Sequence, residues 1–183
     1  MKTVLRFALV VLTTGVALGM IGCNDISSRN TLTVVSVNNG NTYYSDLINE
    51  ADTAKIFVPV DAIPVTFGNI PNSGGTPLAS GTPFSEIVIT SYSVTYDYPI
   101  YSPVTGGLNI RVPSGGTASG TISISNRSEK DALYGTLTST LSTTARIHFT
   151  GYNRINDSGG DAVEADAALT VQVDNFGDSN VNQ

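Results

Sequence analysis

The sequence predicts an all-β domain in which antiparallel strands pack as a sandwich. Three observations carry that reading. Val, Ile, Thr, Tyr, Ser and Gly are abundant, apolar residues recur in short period-two runs, and Pro, Gly, Asn and Asp interrupt those runs at close spacing. No amphipathic helical period stands out anywhere in the chain.

Taken in order, TLTVVSV (31–37) reads as a strand closed by the turn signal Asn39-Gly40. YYSDLINEAD, which follows, has room for a single helical turn. AKIFVPV (54–60) and IPVTFGNI (63–70) read as two strands or one bent strand. Pro59 and Pro64 point there to an edge or a bulge, because proline cannot donate to a ladder. PNSGGTPLASGTPFS (71–85) has no periodicity and reads as a long loop. EIVITSYSVTYDYPI (86–100) is the strongest strand signal, with Ile87 and Ile89 falling on the Ser face and Tyr92, Val94, Tyr96 and Tyr98 on the other. LNIRVP (108–113), a Ser-Gly-Gly turn and SGTISISN (119–126) supply two more strands. Thr143 to Tyr152 and Ala162 to Val173 form a final pair joined by NRINDSGGD.

Seven or eight strands at this spacing suit a sandwich of immunoglobulin or fibronectin type III style, with a jelly roll or small barrel as the alternative. The Cys…Trp…Cys signature of antibody domains is absent, since the chain has one cysteine and no tryptophan. The closing hairpin, ARIHFTGYNRINDSGGDAVEADAALTVQVDNFGD, resembles that of bacterial lipoproteins with Ig-like domains, a likeness that implies fold and location but no activity.

The first residues belong to a different kind of segment. Lys2 and Arg6 precede an apolar run from Phe7 to Ile21. That run has the length of a secretory signal and falls short of the roughly 20 apolar residues of a membrane span. Met20-Ile21-Gly22-Cys23 resembles the lipobox of bacterial lipoproteins. The resemblance implies that residues 1–22 are removed and that Cys23 is acylated, becoming the mature N-terminus held in a lipid membrane. No thiol would then remain for catalysis or a disulfide. Residues 23–30 form the lipidated cysteine and a short polar tether, 31–178 a single domain, and 179–183 a tail. Seven tether residues reach only about 23 Å when extended, which keeps the domain close to its membrane. Asn24, where an Asp would favour inner-membrane retention, points to the outer membrane, with the domain outside the cytoplasm.

Charge narrows the function classes. Nine basic side chains face fifteen acidic ones, and without Lys2 and Arg6 the formal charge becomes −8. No basic run exists, which argues against nucleic acid as a partner. His148 is the sole histidine, and alternation turns it to solvent while Ala145, Ile147 and Phe149 face the core. One histidine, no G-x-S-x-G and no free thiol leave no nucleophilic triad and no zinc site. A carboxylate pair of the glycosidase kind is the remaining enzymatic option, and fifteen acids give it no specific signal. The expectation is a non-enzyme without an obligate cofactor.

Two ligand options remain. Asn153, Asn156, Asp157 and Asp161 in the last hairpin could offer oxygens to calcium, although they match no EF-hand spacing and suit an ordinary turn equally well. Tyr96, Tyr98 and Tyr101 could form an aromatic platform for a glycan or, alternatively, belong to the core, with Tyr101 expected in an exposed loop beyond Pro99. The function expected is therefore a membrane-anchored structural or protein-interaction module with an envelope-protein partner. A glycan- or calcium-binding module is the alternative, and a carboxylate-based hydrolase comes third.

Overall fold

Eight strands and one short helix account for the fold in a computed structural model, which describes residues 30–51, 55–71, 86–154 and 160–176. The strands are β1 (Asn30–Val37), β2 (Tyr43–Asp46), β3 (Ala62–Pro71), β4 (Ile87–Tyr96), β5 (Val104–Val112), β6 (Thr117–Ser123), β7 (Leu141–Asn153) and β8 (Ala162–Asp174). The helix, α1, is Arg127–Leu133.

The strands form a three-stranded sheet ordered β1-β3-β6 and a five-stranded sheet ordered β2-β8-β7-β4-β5. All pairings are antiparallel except that of β2 with β8. This is a two-sheet β-sandwich, one sheet from the first, third and sixth strands and the other built on the last hairpin. The inner faces meet in one core, where Phe67 of β3 stands edge-on to Phe149 of β7 with ring centres 4.8 Å apart. The alternation expected of the last hairpin is present: Ala145, Ile147 and Phe149 of β7 are buried, and so are Val163, Leu169, Val171 and Val173 of the neighbouring β8.

β4 departs from simple alternation. Ile87 and Ile89 are buried, and so are Tyr92 and Val94. A bulge reconciles the two sets: Ile89 pairs with Gly151 and Ser91 with Thr150, so Thr90 is an extra residue that turns the strand's face over. Ile87 and Ile89 thus lie on the core side with Tyr92, not on the Ser side. The partner opposite the bulge is glycine because a Cβ on Gly151 would stand 2.3 Å from the Val88 carbonyl oxygen.

Three further expectations are corrected, while Pro64 does stand at an edge. Tyr43 to Asp46 is a parallel strand and not a helical turn, with Tyr43 and Ser45 pointing inward to Asp61. Residues 55–61 form no strand, only a single bridge from Phe57 to Asn49, because Pro59 interrupts the ladder and the Pro59 carbonyl is taken by a side chain. Pro64 lies in the middle strand of its sheet, yet β1 pairing ends at Val37 with Val65, so the strand is an edge on that side at the proline. The helix α1 went unseen in the sequence because seven residues hold fewer than two full turns of periodicity. The 71–85 loop, apart from Pro71, lies outside the described residues.

Candidate functional site

The strand directions give the sandwich two chemically different ends. At one end lie the start of β1, the end of β3, the Ser114–Gly116 turn and the base of the last hairpin. Asn30 sits there, its carbonyl accepting from Asn153 Nδ2 at 3.5 Å. Asn69 ties the same end together, its Nδ2 donating to the Val112 carbonyl at 3.0 Å.

The other end is organised by a carboxylate. Asp61, fully buried between β2, β6 and α1, has no access to water and must therefore find its partners inside the protein. Its Oδ1 accepts from Lys130 Nζ at 2.8 Å and from the Tyr43 hydroxyl at 3.3 Å. Its Oδ2 accepts from the hydroxyls of Ser45 and Ser125, each at 2.5 Å. Lys130 is equally buried, and its second acceptor is the Pro59 carbonyl at 3.0 Å. The Tyr101 hydroxyl lies 2.9 Å from Ser45 Oγ, and since that serine gives its proton to Asp61, the tyrosine donates. The Tyr96 hydroxyl donates to the Ile124 carbonyl, whose own amide donates to the Asp61 carbonyl. Burial, followed by Asp61 at Tyr43 and by Tyr101 and then Asp61 at Tyr96, pushes these two phenols well above the ordinary tyrosine range. Burial, followed by the charges of Asp61 and Glu129, raises the Tyr101 phenol as well.

Every lone-pair direction of Asp61 is thereby occupied. The network locks the segments carrying Asp61, Tyr101 and Lys130 to one another. Large apolar side chains are exposed at this end, together with the charged Lys55 and Asp131. Ile56, Phe57, Val60 and Tyr134 are 54, 49, 63 and 41 % exposed, and Tyr134 is held by its hydroxyl to Glu50 Oε1 at 2.8 Å. Tyr98 is exposed nearby, and Tyr44 stands edge-on to Phe176 on the flank.

The residues singled out from sequence are distributed unevenly. Tyr96, Tyr98 and Tyr101 do not make a platform: Tyr101 is 3 % exposed and packs edge-on against half-buried Tyr96, and only Tyr98 faces solvent. Tyr101 is drawn inward because its hydroxyl completes the Asp61 network. His148 does face outward, with Nδ1 2.8 Å from Asp166 Oδ1, beside the Arg146–Asp97 pair and shallow hollows lined by Ser91, Ser93 and Gly107. Asn153 is buried in the sheet end and Asp161 begins the approach to β8; Asn156, Asp157 and Cys23 lie outside the described residues. Among the described residues no group of three or more His, Cys, Asp or Glu is placed to hold a metal ion, and no helix is long and apolar enough to cross a membrane. Asp61, Lys130, Ser45 and Ser125 escaped sequence reasoning because they come together only through the tertiary fold.

No family model matches the chain, and no curated protein does. Among solved structures, a solution structure given the description late embryogenesis abundant (LEA) protein is similar over 93 % of this chain and 87 % of its own, at 12 % identity and a TM-score of 0.45.

Proposed function

We propose that this chain is a bacterial lipoprotein, anchored through acylated Cys23, whose non-catalytic β-sandwich docks an envelope protein with the end remote from the anchor. The observation that carries the reading is the opposition of the two ends. Asn30 starts β1 at one end, seven positions after the lipobox cysteine, and the exposed Ile56, Phe57, Val60 and Tyr134 gather at the other. The 13-residue strand β8 spans roughly 40 Å between them, so the apolar end stands clear of the bilayer. Asn24 after the cysteine supports the outer membrane as the site of anchoring.

Two measurements test the proposal in cells. Metabolic labelling with a palmitate analogue should mark the full chain and be lost in Cys23→Ala. A photo-crosslinker at Phe57 should then capture a discrete membrane-fraction partner that the same group at Thr117, exposed at the anchored end, does not. Absent labelling overturns the anchor; equal capture at both positions overturns the docking end.

A further inference from the structure

The helix α1 buries a single residue, and that residue is a lysine. Lys130 Nζ lies 2.8 Å from Asp61 Oδ1, and neither side chain has any solvent exposure. The ammonium carries three N–H groups but meets two acceptors, Asp61 Oδ1 and the Pro59 carbonyl, among the described residues. Two full charges and a surplus N–H are thus held out of water, where the desolvation cost can exceed the Coulombic gain.

The two oxygens of Asp61 are held differently. Oδ2 accepts from neutral hydroxyls, those of Ser45 and Ser125, each at 2.5 Å. Oδ1 faces the proton carriers, the Lys130 ammonium and the Tyr43 hydroxyl at 3.3 Å. One oxygen therefore sits between donors suited to a developing oxyanion, and the other beside groups able to protonate it as it leaves.

From this asymmetry we propose that Asp61 and Lys130 condense within the folded chain into an amide cross-link. Nζ passes one proton to Oδ1 and attacks Cγ, and the Ser45 and Ser125 hydroxyls take up the negative charge that gathers on Oδ2. Oδ1 receives a second proton from Nζ, relayed by the Tyr43 hydroxyl, and departs as water. The Cγ–Nζ bond forms and the Cγ–Oδ1 bond breaks. Of the three ammonium protons two leave in the water and one stays on the amide, so no other reagent is consumed and both buried charges vanish. Groups fixed in contact react as though at an effective concentration of about 10⁵–10⁸ M, which is the drive that juxtaposition supplies. The partners are reused in the product: Oδ2 becomes the amide carbonyl between its two serines, and the amide N–H keeps the Pro59 carbonyl. Until it reacts, the pair stays the ion pair described above. The new bond closes a loop across 69 positions and depends on neither the anchor nor the docking end.

Trypsin reads the outcome in the full chain, purified in mild detergent, because it cuts after a free lysine and not after one acylated on Nζ. The unreacted chain yields 56–111 and 128–130 as separate peptides. The reacted chain yields 56–111 joined to 128–146, lighter by one water than the two summed. The joined species should accumulate at a rate independent of protein concentration and should not form in a chain held unfolded in urea. Tyr43→Phe, folded by circular dichroism, keeps the ring, loses the donor to Oδ1 and should slow the reaction about a hundredfold. A folded chain that stays fully cleavable after Lys130, joined peptides formed equally in urea, or a Tyr43→Phe rate equal to the parent's would overturn the proposal.

Discussion

Lys130→Met isolates what the buried ion pair contributes. Methionine keeps an unbranched apolar stem of similar reach, so the packing around α1 survives while the ammonium is lost. Lys130 and Asp61 both have side chains with no solvent exposure, 2.8 Å apart. The variant leaves the Asp61 carboxylate with three hydroxyl donors and no counter-charge, and frees the Pro59 carbonyl as well. Removing one partner of a buried pair costs about 3–5 kcal/mol. For a domain of this size each kcal/mol moves the midpoint by about 2–4 °C, so Lys130→Met should melt roughly 6–20 °C below the parent. Urea unfolding followed by far-ultraviolet circular dichroism measures the difference, with an unchanged slope showing that the same surface is exposed. Arg146→Met, which breaks the exposed pair with Asp97, is the control and should leave the midpoint where it is. A loss below about 1 kcal/mol for Lys130→Met would refute the reasoning, since it would mean that solvent reaches Asp61 and replaces the cation.

Two more outcomes follow from the same geometry. The phenols of Tyr43, Tyr96 and Tyr101 are raised in the folded chain, so above pH 10 the unfolded state gives up their protons first and stability falls as pH rises. The stability they lend is fully present below that pH, and the loss should approach about 4 kcal/mol per pH unit for three such groups. Absorbance at the tyrosinate band should show them ionising only as the chain unfolds; early, reversible ionisation of all eight tyrosines would contradict their burial. Gly151→Ala should cost about 1–3 kcal/mol by denaturant unfolding, since its Cβ meets the Val88 carbonyl, a backbone atom that cannot swing aside. Gly107→Ala, whose nearest contact would be an ordinary 4.0 Å, should be far milder; equal costs would show that the bulge is not what demands the glycine.

Much of the fold could be read from the chain. β7 and β8 alternate without interruption over most of their length, and each residue's face follows from its neighbours. β4 could be recognised as a strand but not oriented throughout, because one inserted residue at Thr90 exchanges inside for outside and a bulge has no signature beyond the glycine on a different strand. β2 read as room for a helical turn because four residues are too few to establish a period. The apolar end was hidden for another reason: Ile56, Phe57 and Val60 read as strand residues, and only the fold shows that they have no strand to bury them. Asp61 and Lys130 each look like ordinary surface charges in sequence, VDA and SEKD, and nothing local says that they meet.

The Asp61 network also bears on the order in which the chain can fold. Its bonds join residues 16, 56, 64 and 69 positions apart, and none of them closes a local turn. β2, which carries Ser45, has its only ladder partner among the described residues in β8, more than a hundred positions later. Contacts of such separation form after the hairpins, once loop-closure entropy has been overcome. Lys130 and Asp61 therefore surrender their water last, and the apolar end acquires its rigid base only when the whole sandwich has closed. Without β8, β2 has no ladder partner among the described residues and Ser45 no fixed place, so the Asp61 network stays incomplete.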